Sequence, residues 1–438
     1  MPRPGNILTL ALGLVLCQTP SLPAQSLGRI LEGAARKVAR ETLDEVVGRP
    51  PTTPAPAPPS QPATPPSAPQ PPATPAPRLA AAAPQAEPYT VKTRDGWVLV
   101  AHRFRPRTTP RPDALPVILC HGLSYNAQFW TLDPACSLVD YLTAAGYDVW
   151  VADLRGSGDS TKWVAKLAQA PELAIGEAVR RLSRNKLTPT GFATIDPKFS
   201  NWTLDHHIAY DVPAFVRMVR RETGAAQVTW IGHSMGGIVA LAHLARHGNP
   251  GIGKLVTVGS QVTMPNGQLA VQFLREMIET RTQLLTGQLD PDRLAAETRT
   301  SVHNMFFNQR NVSPQIYNAL GTWATDIPAL GVMQQYMTLG LGGELLDASK
   351  QFNYARALGN VTVPILITAG SDDQFAPPLV QQYLFNHVGS TDKTLLIFGR
   401  AMGFRVDAGH NDVLVGLNSR AEVYPAIEAW LRGARPRP

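Results

Sequence analysis

Cysteine is scarce in this sequence: there are three among 438 residues, and no two of them form a CxxC pair. Histidine-rich tracts are also lacking, so the ligand spacings of a structural zinc site are missing and no metal is expected. Cys17 lies in a segment that we expect to be removed. Cys120 and Cys136 are left, and because Cys120 ends an apolar run, two buried free thiols are favoured over one disulfide.

Charge is sparse as well as scattered. Charged residues make up 17% of the chain, and the net charge of +7 comes from lysine and arginine side chains spread along it. The densest basic group has four basic residues in the eight at 179–186, which is typical of a solvated helix face. A contact with an anionic surface is the alternative interpretation of that group. We therefore expect no nucleic-acid partner.

Apolar runs long enough to cross a bilayer are lacking too. The run at 7–16 is too short, but it follows Arg3 and precedes a cleavage point after Ala24. This arrangement is typical of a secretory signal, so residues 1–24 are predicted to be a signal peptide. We expect an exported protein, periplasmic or secreted, that is soluble once mature. Lipidation at Cys17 is disfavoured, because the preceding leucine is larger than such processing usually accepts.

The next two segments differ from each other and from the rest of the chain. Residues 25–49 have apolar residues at helical spacing and alternating charge, which predicts an amphipathic helical segment. Half of the residues at 50–77 are proline, so 50–88 is predicted to be a Pro/Ala-rich disordered linker. A single folded domain is expected at 89–438.

In that domain short apolar runs alternate with helical ones. Two runs around Asp95–Gly96 form a strong hairpin signal. Strands are predicted at 116–120, 147–154, 227–231, 254–259, 363–370 and 393–398, and helices at 134–145, 205–222, 235–246 and 420–432. The pattern predicts an α/β protein with a mostly parallel central sheet flanked by helices. The interval at about 262–352 departs from this rhythm and is predicted to be a helical cap, inserted after the sixth strand.

The stretch "TWIGHSMGGIVALAHLARHG" at 229–248 places a serine between a predicted strand and a predicted helix. A serine hydroxyl needs an exposed position and a base in order to act as a nucleophile. Gly232 and Gly236, two residues either side of Ser234, would relieve crowding at the sharp turn that provides such exposure. Ser234 is therefore the candidate nucleophile. The alternative is that it is only a small polar residue in a tight bend.

A base and an acid must come from loops at the same edge of the sheet. His410 lies after the last strand and before the terminal helix, so it is the best placed of ten histidines. Asp372 and Asp373 follow the strand that ends at Gly370, and the Gly-x-x-Asp spacing favours Asp373. The order Ser234, Asp373, His410 is the order that this architecture requires.

Other polar residues near these positions are assigned other roles. His121 is expected to shape its loop, and His233 to point to the opposite side of the turn from the serine. Asp407 and Asp412, which flank His410, are expected to be solvated. Two histidines that begin a helix are expected to lie at the surface or face the cap: His206 and His207.

An acyl-transfer intermediate needs two backbone N–H donors around its oxyanion. Met235, the first residue of the helix after the serine, can supply one, with the favourable end of the helix dipole. The second donor should come from the loop after an earlier strand. "CHGLSYN" at 120–126 follows such a strand, and the N–H of Leu123 is the candidate.

The block 89–432 resembles the α/β-hydrolase superfamily, and within it the acid-lipase branch of gastric and lysosomal lipases. The segments that carry the likeness are "CHGLSYNAQFW", "LTAAGYDVWVADLRG", "FSNWTLDHHIAYDVPAFVRMVRRETG", "WIGHSMGG" and "EVYPAIEAWL". The resemblance implies Ser234 as nucleophile, His410 as base and Asp373 as acid. It implies Leu123 and Met235 as oxyanion donors, a helical cap over a lipophilic pocket, and esters as substrates.

Two segments and one residue depart from the pattern of the acid lipases. "DLRGSGDS" at 153–160 is more similar to general α/β-hydrolases, and Met235 stands where glutamine is expected. A backbone N–H survives that change. "FWTLDPACSLVDYL" is also similar to polyhydroxyalkanoate synthases, but those enzymes use cysteine where this chain has Ser234.

These observations predict an exported carboxylic ester hydrolase, similar to lipases and esterases, acting on a small-molecule or lipid ester without a cofactor. The alternatives are an acyltransferase or a polyhydroxyalkanoate-type depolymerase with the same triad, or a non-catalytic ligand-binding protein. The cap is a candidate for transient contact with a lipid surface. The N-terminal helix and linker are candidates for contact with an envelope partner. Substrate identity, acyl chain length and oligomeric state stay open.

Overall fold

A computed structural model of the chain describes residues 85–160, 202–249, 251–265, 267–268, 271–272, 274–275, 305–324, 326 and 328–436. The predicted signal peptide, the amphipathic segment and all but the end of the linker lie outside the described residues. The basic group at 179–186 and residues 276–304 of the predicted cap lie outside them as well. Within the described ranges, no helix is both long and apolar enough to cross a membrane.

One eight-stranded sheet forms the centre of the fold. Its strands are β1 (Glu87–Lys92), β2 (Val98–Phe104), β3 (Val117–Cys120), β4 (Val149–Asp153), β5 (Val228–His233), β6 (Ile252–Val258), β7 (Ile365–Gly370) and β8 (Lys393–Phe398). Their order is β1-β2-β4-β3-β5-β6-β7-β8. β2 runs antiparallel to β1 and β4, and the other neighbours are parallel. The predicted hairpin and mostly parallel sheet are confirmed.

Helices cover the sheet. Those of seven or more residues in the described ranges are α1 (Leu138–Ala144), α2 (Val212–Thr223), α3 (Met235–His247), α4 (Pro314–Trp323), α5 (Leu330–Gly342), α6 (Pro378–His387) and α7 (Tyr424–Leu431). Shorter helical turns are Ala127–Trp130, Pro134–Cys136, Leu204–His206, His207–Asp211, Leu358–Asn360, Arg400–Met402, Asp412–Val415 and Ser419–Val423.

The helix predicted at 134–145 is divided into two helical segments. Asp133 caps only the 3₁₀ turn Pro134–Cys136, through a 2.7 Å hydrogen bond from the N–H of Ala135. Ser137 then adopts an extended backbone, and its hydroxyl accepts the N–H of Asp140 at the start of α1. A second capping residue three positions after the proline therefore begins the helix again, which the sequence prediction missed.

The helix predicted at 205–222 is continuous from Leu204 to Thr223, but it contains the π-helical turn His207–Asp211. Such turns insert one extra residue into a helix and are frequent near functional sites. His207 and Asp211 are both buried and lie 2.8 Å apart through Nδ1 and Oδ2. His207 therefore does not lie at the surface, which was one of the two positions expected for it.

The core lies on both faces of the sheet. All residues of β3, β4 and β5 are buried, as expected for parallel strands that are covered on both sides. Cys120 and Cys136 are free and buried, which confirms the favoured interpretation of two thiols. Burial raises the pKa of the Cys136 thiol to about 12, so it is protonated at neutral pH.

The cap occupies the predicted place between β6 and β7. Its described helices are α4 and α5. α5 is capped at its C-terminus by Gly343, which has a positive φ of 78°. The segment after α5 then pairs with the segment after β6. The N–H of Met264 donates to the carbonyl of Gly343 over 2.9 Å, and that of Leu345 donates to Val262 over 2.9 Å. This pairing joins the cap to the carboxyl edge of the sheet.

Candidate active site

Ser234 lies in the turn between β5 and α3, and its backbone is in an unusual conformation. Its φ is 49° and its ψ is −117°, a region that residues other than glycine rarely adopt. The N–H of Ser234 donates to the carbonyl of Val258 on β6 over 2.8 Å. Residues 235–245 of α3 are all buried, which holds the turn in place. This is the strained strand-to-helix turn that the sequence motif predicted.

The glycines around the serine are required by close packing. A Cβ on Gly232 would lie 2.2 Å from the backbone nitrogen of Gly237, and one on Gly236 would lie 2.2 Å from the carbonyl oxygen of Cys120. A Cβ on Gly237 would lie 2.1 Å from Oγ of Ser260. These contacts are shorter than real Cβ atoms make, so the spacing of the glycines around Ser234 follows from sterics.

Asp373 and His410 form a buried pair at the same edge of the sheet. Oδ2 of Asp373 lies 2.8 Å from Nδ1 of His410, and the side chains are 0% and 2% exposed. The other carboxylate oxygen accepts the N–H of Phe375 over 3.0 Å and of Ala376 over 2.7 Å. Because a carboxylate oxygen only accepts, Nδ1 of His410 carries a proton and donates this hydrogen bond, so in the neutral ring Nε2 is the acceptor.

The neighbouring carboxylates are not placed like Asp373. Asp372 is exposed, and burial of part of its carboxyl, with Asp407 and Asp373 nearby, raises its pKa. Asp407 is 44% exposed at its side chain, as expected. Asp412 is fully buried and accepts hydrogen bonds from Asn308, Asn311 and the N–H of Gly409. The expectation that Asp412 is solvated is therefore wrong, because cap residues 101 and 104 positions away in sequence cover it.

Two links bring the serine turn and the acid–base pair together. Gly259 follows Val258, whose carbonyl binds the N–H of Ser234, and a Cβ on Gly259 would lie 3.0 Å from both Oδ2 of Asp373 and Nδ1 of His410. Gly259 has a φ of 58°, so glycine is needed there for the backbone as well as for the space. Ser234, Asp373 and His410 thus come after β5, β7 and β8, and the three predicted triad residues lie at one edge of the sheet.

His233, the residue before the serine, makes the second link. Its Nε2 donates to the carbonyl oxygen of His410 over 3.0 Å, since a carbonyl can only accept. Its ring is stacked on Phe129 with centroids 4.8 Å apart and planes 12° apart. Burial and the nearby His410 lower the pKa of His233 well below its ordinary value, so it is neutral.

The two residues predicted as oxyanion donors belong to two segments next to the serine. Met235 is the first residue of α3, where backbone N–H groups and the helix dipole favour negative charge. Leu123 belongs to the turn after β3, in which the N–H of Tyr125 donates to the carbonyl of Gly122 over 3.2 Å. A Cβ on Gly122 would lie 3.1 Å from Cβ of Ser234. The turn that carries Leu123 is therefore in close contact with the serine.

His121 fixes the shape of that turn, as expected from the sequence. Its Nε2 accepts the N–H of Leu154 over 3.2 Å, so the ring proton is on Nδ1 and donates to the carbonyl of Gly122 over 2.9 Å. Burial lowers the pKa of His121, which keeps it neutral and in this tautomer. Both ring nitrogens of His121 are thus engaged in hydrogen bonds to the backbone.

A buried ion cluster next to this loop was missed by the sequence analysis. Arg155 is 1% exposed and makes hydrogen bonds of 2.6 Å to Oδ1 of Asp211 and 2.7 Å to Oδ2 of Asp95. Burial alone would raise the pKa of Asp211, but the Arg155 charge and the His207 hydrogen bond lower it to about 2. Arg155 follows Leu154, the partner of His121, so the cluster supports the loop that carries Leu123. The only sequence signal was an arginine in "DLRGSGDS" without an assigned partner.

One group of side chains in the described ranges could hold a metal ion: His102, Asp153 and Asp159. Nε2 of His102 lies 3.5 Å from Oδ2 of Asp153 and 3.3 Å from Oδ2 of Asp159. Hydrogen bonding to Asp153, and then to Asp159, raises the pKa of His102 to about 9. A histidine that is protonated at neutral pH fits an ion pair better than a metal ligand.

Cap residues contact both the oxyanion loop and the base loop. The N–H of Asp326 donates to the carbonyl of Ser124 over 2.7 Å, and Oδ2 of Asp326 accepts from the side chain of Asn126 over 2.9 Å. The ring centroid of Phe306 lies 5.4 Å from that of His410. An aromatic side chain of the cap therefore lies against the candidate base, and the cap is hydrogen-bonded to the loop of Leu123.

Comparisons with known proteins agree with the fold described above. A family model described as alpha/beta hydrolase fold matches residues 116–417. A probable lipase of Schizosaccharomyces pombe is 30% identical over 169 residues, 37% of this chain and 31% of that protein. Human lipase member K is 30% identical over 179 residues, 39% of this chain and 37% of that protein. The matched segment thus spans about a third of the length of these relatives.

Among solved structures, a thermophilic esterase from Thermogutta terrifontis has the same fold. It superposes with a TM-score of 0.50 at 17% identity, over 80% of this chain and 99% of that chain. At this level of identity the likeness concerns the fold alone. The fold predicted from the sequence is therefore confirmed by an independent comparison.

Proposed function

The chain belongs to the α/β-hydrolase fold family, and from that premise we propose that it is an exported serine hydrolase that cleaves carboxylic esters. The observation that supports this most is the 2.8 Å hydrogen bond between buried Asp373 and His410, at the sheet edge that carries the strained turn of Ser234. A serine, a neutral imidazole with its Nε2 left as an acceptor, and a carboxylate are the groups that acyl transfer requires.

In the first half of the reaction, Oγ of Ser234 attacks the ester carbonyl carbon while Nε2 of His410 takes the hydroxyl proton. Asp373 holds the ring by Nδ1 and stabilises the imidazolium that forms. The imidazolium then gives its proton to the leaving alkoxide as the carbon–oxygen bond breaks. The products of this half are the free alcohol and an acyl group on Ser234.

The oxyanion of each tetrahedral intermediate is stabilised by the backbone N–H groups of Leu123 and Met235. Such donors contribute most when they are preset, because they then need no reorganisation as charge develops. The hydrogen bonds of His121 and the contact between Gly122 and Ser234 support a preset arrangement. In the second half, water attacks the acyl group with His410 again as base, and the carboxylic acid leaves.

A hydrophobic acyl group fits the surroundings of the base. Phe306 and Phe375 lie with ring centroids 5.4 Å and 5.2 Å from that of His410. Aromatic side chains at a site favour apolar substrate groups by removing their surface from water. We take the names of two relatives, both lipases, as further support for esters with apolar acyl chains.

The test is hydrolysis of p-nitrophenyl esters with acyl chains of two to sixteen carbons by the wild type and by Ser234→Ala. Ser349→Ala, an exposed serine outside the site, is the matched control. We expect loss of at least about three orders of magnitude in kcat for Ser234→Ala alone. Wild-type protein that is folded and as inert as Ser234→Ala would contradict the proposal and favour ligand binding. Turnover that needs an added alcohol would favour acyl transfer.

We also propose that residues 1–24 direct export and that 50–88 form a spacer, with 25–49 as an amphipathic segment that contacts an envelope partner. The composition of each segment supports these assignments. The mass of the mature chain tests the first, since cleavage after Ala24 leaves Gln25 as the N-terminus. Deletion of 26–86 tests the second and third. We expect the protein without residues 26–86 to keep its turnover and to lose its localisation.

A further inference from the structure

Gln261 has a buried side chain whose polar atoms lack partners. It is 1% exposed, and neither Oε1 nor Nε2 has a hydrogen-bond partner in the part of the chain that the structure describes. Burying an unpaired amide group costs free energy, so native proteins pair such groups with protein, water or ligand. A second buried glutamine, Gln335, follows this rule, with bonds to Leu204, Asp205 and Leu346.

The position of Gln261 connects it to the candidate site. Two residues earlier, Gly259 packs against Asp373 and His410. One residue earlier, the hydroxyl of Ser260 donates to the carbonyl of Ser234 over 2.9 Å. Since consecutive Cα atoms are about 3.8 Å apart, the Cα of Gln261 lies within about 8 Å of that of Gly259. The backbone of Gln261 therefore follows directly on two residues that contact the proposed reacting groups.

The same residue lies where the sheet meets the cap. The residues that follow it, Val262 and Met264, are buried and bind the backbone of Leu345 and Gly343, just after the cap helix α5. Ligands of parallel sheets bind outside the carboxyl ends of the strands, and β6 ends three residues before Gln261. A substrate held between the sheet edge and the cap would pass this position.

From these observations we infer that the Gln261 amide binds a hydroxyl group of the substrate, so that the substrate is an ester with a hydroxyl near the scissile bond. A primary amide offers an acceptor at Oε1 and donors at Nε2, and a hydroxyl group can use both. An alkyl chain can use neither. The inference rests on the proposed ester hydrolysis and specifies its substrate class. The hydroxyl can belong to the acyl part or to the alcohol part of the ester.

The test compares hydroxylated and plain esters in matched pairs. For the acyl part the pair is p-nitrophenyl 3-hydroxybutyrate and p-nitrophenyl butyrate, and for the alcohol part it is 1-monobutyrin and propyl butyrate. We expect the wild type to prefer the hydroxylated member of one pair by about tenfold or more in kcat/KM. Gln261→Met, which is similar in shape but apolar, should reduce that preference to near unity.

Thermal unfolding gives a second measurement. Gln261→Met should raise Tm by about 2–4 °C, because it removes two unpaired buried polar atoms. The matched control Gln335→Met should lower Tm, because it breaks three hydrogen bonds. An unchanged preference in Gln261→Met, on both pairs, would overturn the inference and leave the amide a partner of bound water. Failure of the proposed function differs from this, since the wild type would then hydrolyse neither plain ester.

Discussion

His233 donates a hydrogen bond from Nε2 to the carbonyl oxygen of His410 over 3.0 Å. The residue before the candidate nucleophile is therefore bound to the backbone of the candidate base. The side chain of His410 is held by Asp373, and its backbone carbonyl is held by this second bond. Stacking on Phe129 fixes the His233 ring in turn. We regard His233 as a positioning residue for the proposed reaction.

Removing this bond should lower kcat more than it changes KM. We expect His233→Leu to lose about tenfold to a hundredfold in kcat, because small displacements of a reacting group have effects of that size. KM should stay within about threefold. His233→Gln can donate from its amide to the same carbonyl and should recover part of the loss. Equal kcat for the leucine and glutamine variants would show that the hydrogen bond has no such role.

The two adjacent aspartates offer a sharp test of the acid. Asp373→Asn removes the charge that stabilises the His410 imidazolium, and we expect kcat to fall by about three to four orders of magnitude. Asp372→Asn is the matched control, because its side chain is exposed and makes no bond to His410 among the described residues. It should keep full activity. A larger loss in Asp372→Asn than in Asp373→Asn would reverse the assignment of the acid.

The sequence was sufficient for features that depend on short stretches of chain. The turn of Ser234 could be predicted from a short stretch of sequence. A Cβ at Gly232, Gly236 or Gly237 would clash with atoms within or near the turn itself. Asp373 could be preferred over Asp372 because spacing from the strand end decides which side chain points inward. The catalytic roles of these residues stay predictions, but their placement at one sheet edge follows because Ser234, Asp373 and His410 come after β5, β7 and β8, which lie in the same half of the sheet.

Features that depend on distant parts of the chain could not be predicted. Arg155 and Asp211 are 56 residues apart, and Asp412 is covered by residues about 100 positions before it. No periodicity connects such residues, since each pairing exists only after the sheet and cap have assembled. The divided first helix has a different cause: Ser137 is a strong capping residue, and the sequence prediction gave that role only to Asp133.

Stability should depend strongly on the Arg155 cluster. Arg155→Met would leave Asp211 and Asp95 without their cation, and we expect the free energy of unfolding to fall by about 3–5 kcal/mol. Arg356→Met is the matched control. Arg356 is mostly exposed and pairs with Glu344, so its loss should cost no more than about 1 kcal/mol. Urea unfolding of both variants measures this, and similar values for the two would contradict a structural role for the cluster.

The pH dependence of stability should reveal the ion pairs of His102. Hydrogen bonding to Asp153 and Asp159 raises the pKa of His102 from 6.5 to about 9 in the folded protein. Because the folded pKa is the higher one, the stabilisation is fully present below pH 6.5. It declines as pH rises through about 9. We expect it to be on the order of 1 kcal/mol, since Asp159 is 71% exposed and solvent screens part of the pairing.

His102→Gln removes the titrating group and keeps a polar side chain of similar length. The free energy of unfolding should therefore be lower in His102→Gln than in the wild type at pH 6, and the difference should shrink by pH 10. His387→Gln is the control, because His387 is exposed and its Nδ1 hydrogen bond is to a backbone carbonyl. A difference between wild type and His102→Gln that is the same at pH 6 and pH 10 would mean that the protonated imidazole gives no stabilisation. If His102 were a metal ligand, metal binding would instead stabilise the protein more as pH rises, because a metal binds the neutral ring.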